Sequence, residues 1–153
     1  VSGKNNLVLI VCGGRDYEDR DQVYLFLDYI DYMRVIKTII QGGATGADKL
    51  AKEWAESRGK KCIEERALWG YLEEKGAVIR TRSDGTQYNA KAGYDRNLRM
   101  LTKHNPDGTV AFPGGRGTAD MIKQTIEFGK PVMTLETIPW LRSKKNTNRI
   151  IGG

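Results

Sequence analysis

The sequence predicts an α/β protein of Rossmann type, with a parallel sheet of about five strands and helices on both faces. Three observations carry this. Apolar runs rich in β-branched residues are each followed by a double glycine and then a helical pattern. The runs are continuous rather than alternating, as suits parallel strands buried on both faces. The segments between them place apolar residues at helical spacing without repeating one another, so the recurrence is one of architecture.

Strands are expected at 7–12, 35–40, 61–63, 109–112 and 131–135, and helices at 21–34, 47–57, 90–103 and 118–128. In the first helix Val23, Phe26, Leu27, Ile30 and Met33 share a face; in the second Leu50, Ala51, Trp54 and Ala55 do, which makes Trp54 a core residue. Gly129 and Pro131 end the fourth helix. Right-handed crossovers are expected between the strands. Residues 78–82 and 86–88 break the alternation, because extended stretches there flank Ser83-Asp84-Gly85, a hairpin signal. This reads as a small insertion over 75–88, at the sheet edge or as a flap. One domain over residues 1–140 follows, with Trp140 covering the end of the sheet and 141–153 a basic, poorly ordered tail.

A chain of 153 residues suits one domain with a real core. The longest apolar runs are far too short for a bilayer, and residues 1–6 lack the pattern of a secretory signal, so a soluble cytoplasmic protein without membrane contact is expected. Cys12 and Cys62 sit in or beside strand-like runs without metal-binding neighbours and read as buried thiols. With His104 the single histidine, multi-imidazole metal sites and Ser/His pairs drop out; no metal and no cofactor is expected. The net charge of +6 falls to +2 without the tail, whose cations Arg142, Lys144, Lys145 and Arg149 face no acid. A second basic stretch, 75–99, carries +4.

In a parallel sheet all strand C-termini share one edge, so the glycine pairs Gly13-Gly14, Gly42-Gly43 and Gly114-Gly115 should converge. Glycine lets backbone N–H groups approach an anion, and a helix start adds unpaired donors and a positive dipole end; phosphate is the natural occupant. Arg15 and Asp16 follow the first pair, where arginine could clamp phosphate and the carboxylate could accept from ribose hydroxyls, or the two could simply pair. Thr45-Gly46-Ala47-Asp48 has the spacing of a capping arrangement, with Thr45 either capping or contacting ligand. Arg116-Gly117-Thr118 continues the third loop, and Thr118 either caps the fourth helix or turns to a phosphate. Arg96 and Asn97 open the third helix with Arg99 near the same face, and Trp69 lies in a loop where its ring either packs or stacks on a base.

Gly13-Gly14-Arg15-Asp16-Tyr17, Gln41-Gly42-Gly43-Ala44-Thr45-Gly46-Ala47-Asp48, Ala92-Gly93-Tyr94-Asp95-Arg96-Asn97 and Phe112-Pro113-Gly114-Gly115-Arg116-Gly117-Thr118-Ala119 are together distinctive. The chain resembles the SLOG superfamily, in particular its YspA, cpYpsA-related branch, over roughly residues 7–135; the hairpin departs from the pattern as an insertion. The resemblance implies a Rossmann-like fold and a site for nucleotides or nucleotide-derived ligands. Relatives include the LOG phosphoribohydrolases, the DNA-binding Smf/DprA proteins and sensors of nucleotide signals, and related proteins commonly pair into homodimers. LOG enzymes carry Pro-Gly-Gly-x-Gly-Thr-x-x-Glu, and Met121 stands here in place of that glutamate, preceded by Asp120. Methionine can act neither as acid nor as base.

Three readings follow. The first is a binding module, with phosphate on Gly114–Thr118 helped by Arg96, ribose and base reaching 13–16 and 42–48, and a role in sensing or sequestering a nucleotide signal. The second is a LOG-like hydrolase of nucleoside monophosphates, with Asp120 or Asp16 as catalytic candidates stabilising positive charge at the sugar. The third is single-stranded nucleic-acid binding through the hairpin and tail, for which aromatic interleaving is sparse.

Overall fold

The computed structural model describes residues 5–137, so Trp140 and the 141–153 tail lie outside the described residues. The elements are β1 Leu7–Cys12, α1 Arg20–Arg34, β2 Ile36–Gln41, α2 Ala47–Ser57, β3 Lys61–Glu64, β4 Ile79–Thr81, β5 Gln87–Asn89, α3 Ala92–His104, β6 Gly108–Ala111, α4 Arg116–Glu127 and β7 Val132–Met133. Five strands form one parallel sheet in the order β3-β2-β1-β6-β7, and β4 and β5 form a separate antiparallel pair.

Strand position follows strand composition. The three central strands hold the continuous apolar runs: Leu9, Ile10 and Val11 of β1, Ile36, Ile39 and Ile40 of β2, and Val110 and Ala111 of β6 are buried. The edge strands β3 and β7 are short and only partly covered, which suits Lys61 and Glu64 at the ends of β3. Alternate residues of β1 serve opposite layers. Leu9 and Val11 join α1 and α2 through Phe26, Leu27, Ala51 and Trp54. Ile10 joins α3 and α4 through Met100, Leu101 and Met121. Trp54 is fully buried, and its indole N–H donates to Asp28 Oδ1 at 2.8 Å, so the one polar atom of the ring is satisfied.

The hairpin spans the expected place, with Arg80 opposite Tyr88 and Gly85 at φ +88° in the turn. It does not extend the main sheet; its second strand is tied instead to the loop after β3, where the Asn89 N–H donates to the Trp69 carbonyl at 2.7 Å. Helix α4 begins at Arg116, two residues earlier than the sequence pattern indicates, with Gly115 at the N-cap. Its first turn, lacking apolar residues, carries no amphipathic signal by which its start could be read. Among the described residues no helix is long and apolar enough to cross a membrane.

Candidate functional site

From β1 the chain moves through β2 to β3 on one side, then crosses to β6 and β7 on the other. The loops after β1 and β6 therefore part in opposite directions, opening a crevice at the carboxyl ends of those strands. This crevice, of about 410 Å³, is lined from β1 by Gly13, Gly14, Arg15 and Asp16, from the β2–α2 loop by Gly42, Ala44 and Asp48, and from α4 by Gly115, Arg116, Gly117 and Thr118. Helix α3 contributes Gly93, Arg96, Asn97 and Met100, and Trp69 closes one flank. An adjoining lobe of about 330 Å³ is lined by Gly43, Thr45 and Arg66 and shares Arg15, Gly42, Ala44, Trp69 and Arg96 with the first.

The three glycine loops do converge, but they do different work. Gly14 is the junction: its N–H donates to the Pro113 carbonyl at 2.8 Å, and its carbonyl accepts from Ala47, the first residue of α2, at 3.1 Å. Gly46 lies directly beneath. It sits at φ +74°, and a Cβ there would overlap the Gly14 carbonyl oxygen and stand 2.5 Å from the carbonyl carbon of Arg15. Gly46 therefore supports the crevice from below. Gly114 faces away, lining a depression with Ile122 and Leu135 on the other side of the loop.

Two backbone donors of the β2–α2 loop are consumed within it. The Gly43 N–H donates to Gln41 Oε1 at 2.6 Å and the Ala44 N–H to Asp48 Oδ2 at 3.2 Å. The capping expected of Thr45 is not formed: Gly46 is the N-cap of α2 without a side-chain cap, and the Thr45 hydroxyl donates to the Arg15 carbonyl at 2.9 Å, stitching the first loop to the second. Helix α4 likewise has a glycine N-cap, Gly115, and no side-chain cap bond. But where the Ala47 N–H at the start of α2 is taken by the Gly14 carbonyl, the first turn of α4 lines the crevice, so its N–H groups, which have no intrahelical acceptor, open onto it. Thr118 is buried with its hydroxyl against the Gly114 backbone, so it does not cap α4.

Arg96 supplies positive charge to the floor. Its Nη1 donates to the carbonyls of Gly42 (3.1 Å) and Glu65 (3.3 Å), and its Nε to Asn97 Oδ1 (3.0 Å). Burial lowers its pKa from the ordinary range, while the Asp48 charge pulls it back up. Burial likewise pushes the Asp48 carboxyl upward, opposed by its hydrogen bond from Ala44 and by Arg96. Gly42 lies between them: a Cβ there would overlap Arg96 Nη1 and come within 2.9 Å of Asp48 Oδ2. Cys12 and Cys62, expected as buried thiols, are free and intermediate in exposure. Cys12 ends β1 on the crevice floor, where burial raises its thiol pKa well above the ordinary value and Asp48 adds to the effect.

Asp120 does not line the crevice. Its Oδ2 accepts from Asn97 Nδ2 at 2.9 Å and Gln124 Nε2 at 2.7 Å, tying α3 to α4. Asn97 is spent on the same bridge, its Nδ2 also reaching the Gly117 carbonyl at 3.3 Å, so it holds the first turn of α4 in place. Met121 is buried on the floor.

Glu65 escaped the sequence reading. Its carboxylate accepts from Lys103 (2.9 Å) and Arg99 (3.3 Å) and lies 2.8 Å from His104 Nε2, while its carbonyl receives Arg96. Burial would raise this carboxyl, but the hydrogen bonds from His104, Lys103 and Arg99 outweigh it and hold the group at about 2. The partners lie 34 to 39 residues away, so no local pattern announces them.

A parallel doubly wound sheet with a glycine-lined crevice at its switch point defines a Rossmann-like α/β protein. Residues 7–70 match the family described as YspA, cpYpsA-related SLOG family, the branch whose motifs the sequence resembles. The Gene 61 protein of Mycobacterium phage D29 is 29% identical over 136 residues, covering 86% of this chain and 98% of its own length. The crystal structure of MurG from Acinetobacter baumannii aligns with 86% of this chain at 12% identity and a TM-score of 0.49; the chain spans 34% of that protein's length.

Proposed function

We propose that this protein binds a nucleotide or nucleotide-derived ligand, with a phosphate seated on the first turn of α4 and the remainder lying across the crevice toward Gly13–Asp16 and Gly42–Asp48. The observation that carries this reading is the uncapped start of α4, opening into a space of small-ligand size beside Arg96 and Arg116. The match of residues 7–70 to a SLOG family model agrees with it. The phosphate would meet the helix dipole and backbone donors, with Arg96 adding a charge already fixed in direction by two carbonyls.

Binding without turnover is the better supported form. The buried position that an acid would need, the sixth residue of α4, is Met121, and the Asp120 carboxylate is committed to Asn97 and Gln124. A protein that holds a nucleotide without cleaving it suits sensing or sequestration. Heat release from the purified protein followed by mass spectrometry tests the reading directly, backed by calorimetry with nucleoside mono- and diphosphates. A copurifying nucleotide, or binding abolished by Arg96→Gln, is the expected result; no copurifying nucleotide together with no binding at millimolar concentration overturns it. Release of free base from monophosphates, lost in Asp16→Ala, would replace binding by hydrolysis.

A further inference from the structure

Between the crevice and its adjoining lobe stand two side chains that border both, Trp69 and Arg15. The Arg15 guanidinium carbon lies 5.7 Å from the centre of the Trp69 ring, closer than a stack with a third planar group between them would require, since two stacking gaps need about 7 Å. We propose that Trp69 and Arg15 are the two jaws of a nucleobase clamp, and that the 79–89 hairpin exists to hold the tryptophan jaw. The proposal rests on the phosphate reading above and adds to it the class of group at the other end of the ligand: a flat aromatic base.

The jaws differ in how they are held. Trp69 is fixed on three sides. Its carbonyl accepts from the Asn89 N–H, and its ring meets Tyr88 edge to face at 6.3 Å and 68°. Its tip closes against α3 at Gly93, where a Cβ would stand 3.0 Å from Cη2. Asn89 is fully buried and makes the hairpin rigid with the preceding loop: its Oδ1 accepts from Val78 (3.2 Å) and Lys91 (3.0 Å), and its Nδ2 donates to Glu74 Oε2 (3.0 Å) and the Tyr71 carbonyl (3.4 Å). Arg15, in contrast, is exposed, and Thr45 holds it through its backbone carbonyl alone. It can withdraw by the ångström or so that a base needs and then close on the outer face, replacing one cation–π contact by stacking on the base. A tryptophan serving only to pack would not require this apparatus at the mouth of a cavity, half-buried and bordering two lobes.

The test compares AMP, GMP, CMP, UMP and ribose 5-phosphate by calorimetry on the native chain and on Trp69→Leu, Trp69→Phe, Tyr88→Leu and Arg15→Gln. At least one nucleoside monophosphate should bind about tenfold more tightly than ribose 5-phosphate. Trp69→Leu should erase that advantage and leave ribose 5-phosphate within twofold; Trp69→Phe should retain most of it. Tyr88→Leu, a positioning change, should lose part of the advantage without affecting ribose 5-phosphate. Should Trp69→Leu not fold, the exposed Arg15→Gln carries the comparison, and it should lose part of the nucleotide advantage while leaving ribose 5-phosphate within about twofold. Nucleotides and ribose 5-phosphate binding alike to the native chain, or weakening in parallel in the variants, overturn the clamp and leave the phosphate site standing. Binding of none of the five removes both.

Discussion

Gly117→Ala separates ligand demands from folding demands at a single atom. Gly117 is the second residue of α4, and a Cβ there would meet nothing within 4 Å. Glycine within a helix costs about 0.5–1 kcal/mol relative to alanine, so the substitution should stabilise the fold by that amount, or about 1–4 °C in melting temperature for a domain of this size. The Gly117 carbonyl, which accepts from Asn97, stays where it is. The added methyl nevertheless projects from a residue that lines the crevice, beside the N–H groups offered to phosphate. If phosphate sits there, the anion must shift away from its donors and lose one or two charge-assisted bonds, about 1.5–3 kcal/mol each, so affinity should fall by at least tenfold. Differential scanning fluorimetry reads the first effect and titration calorimetry with the copurified nucleotide the second. A variant that melts higher yet binds with unchanged affinity would refute the placement of phosphate on α4, and one that melts lower would refute the geometry from which the argument starts.

Gly42→Ala should push the Arg96 guanidinium off its two carbonyl acceptors, lowering nucleotide affinity about tenfold while costing roughly 1–2 kcal/mol of stability, measured by the same pair of assays. Gly46→Ala should be far more damaging, because φ +74° and the Gly14 carbonyl both oppose it; a melting temperature within 2 °C of native, an approximate margin, would contradict that contact. For Glu65, the folded carboxyl at about 2 lies below its ordinary 4.5, so its contribution is present above pH 4.5 and is lost as pH falls toward 2. Discounted for the exposed partner Lys103, that contribution is about 2 kcal/mol; Glu65→Gln should lose it at pH 7 and show a flatter acid limb in urea unfolding between pH 5 and 3, a window set by the usual carboxylate range.

The sheet was legible because its physics is local. Continuous apolar runs marked β1, β2 and β6, and helical spacing marked Val23, Phe26, Leu27 and Ile30 as a buried face, although Met33, expected on the same face in the last turn of α1, is exposed. Convergence of the glycine loops was legible too, since parallel strands align their ends. What each loop does with its donors was not. Thr45 and Asp48 have the spacing of a cap, but whether the hydroxyl meets its own helix or the Arg15 carbonyl depends on a loop 30 residues away. Asp120 follows the glycine motif as an acid near a site should, and only the packing of α3 against α4 turns it to Asn97. Pattern gives faces and periods; partners across the fold decide hydrogen bonds.

The distribution of donors makes the crevice one-ended, and this bears on how the protein can discriminate. A site with phosphate cradles on all three loops would hold any polyanion of suitable length. Here the Gly14, Gly43 and Ala44 N–H groups are spent on protein acceptors, whereas the first turn of α4, the proposed anion seat, has no side-chain cap. The opposite flank offers Trp69, an aromatic surface, and Arg15 over it. Phosphate alone would then be held by one end, and selectivity would have to come from whatever reaches the other. The double glycines of the first two loops are accordingly explained by close packing, of Gly13 against Ala47 and of Gly42 against Arg96, so the number of glycine loops overstates the number of anions this fold can receive.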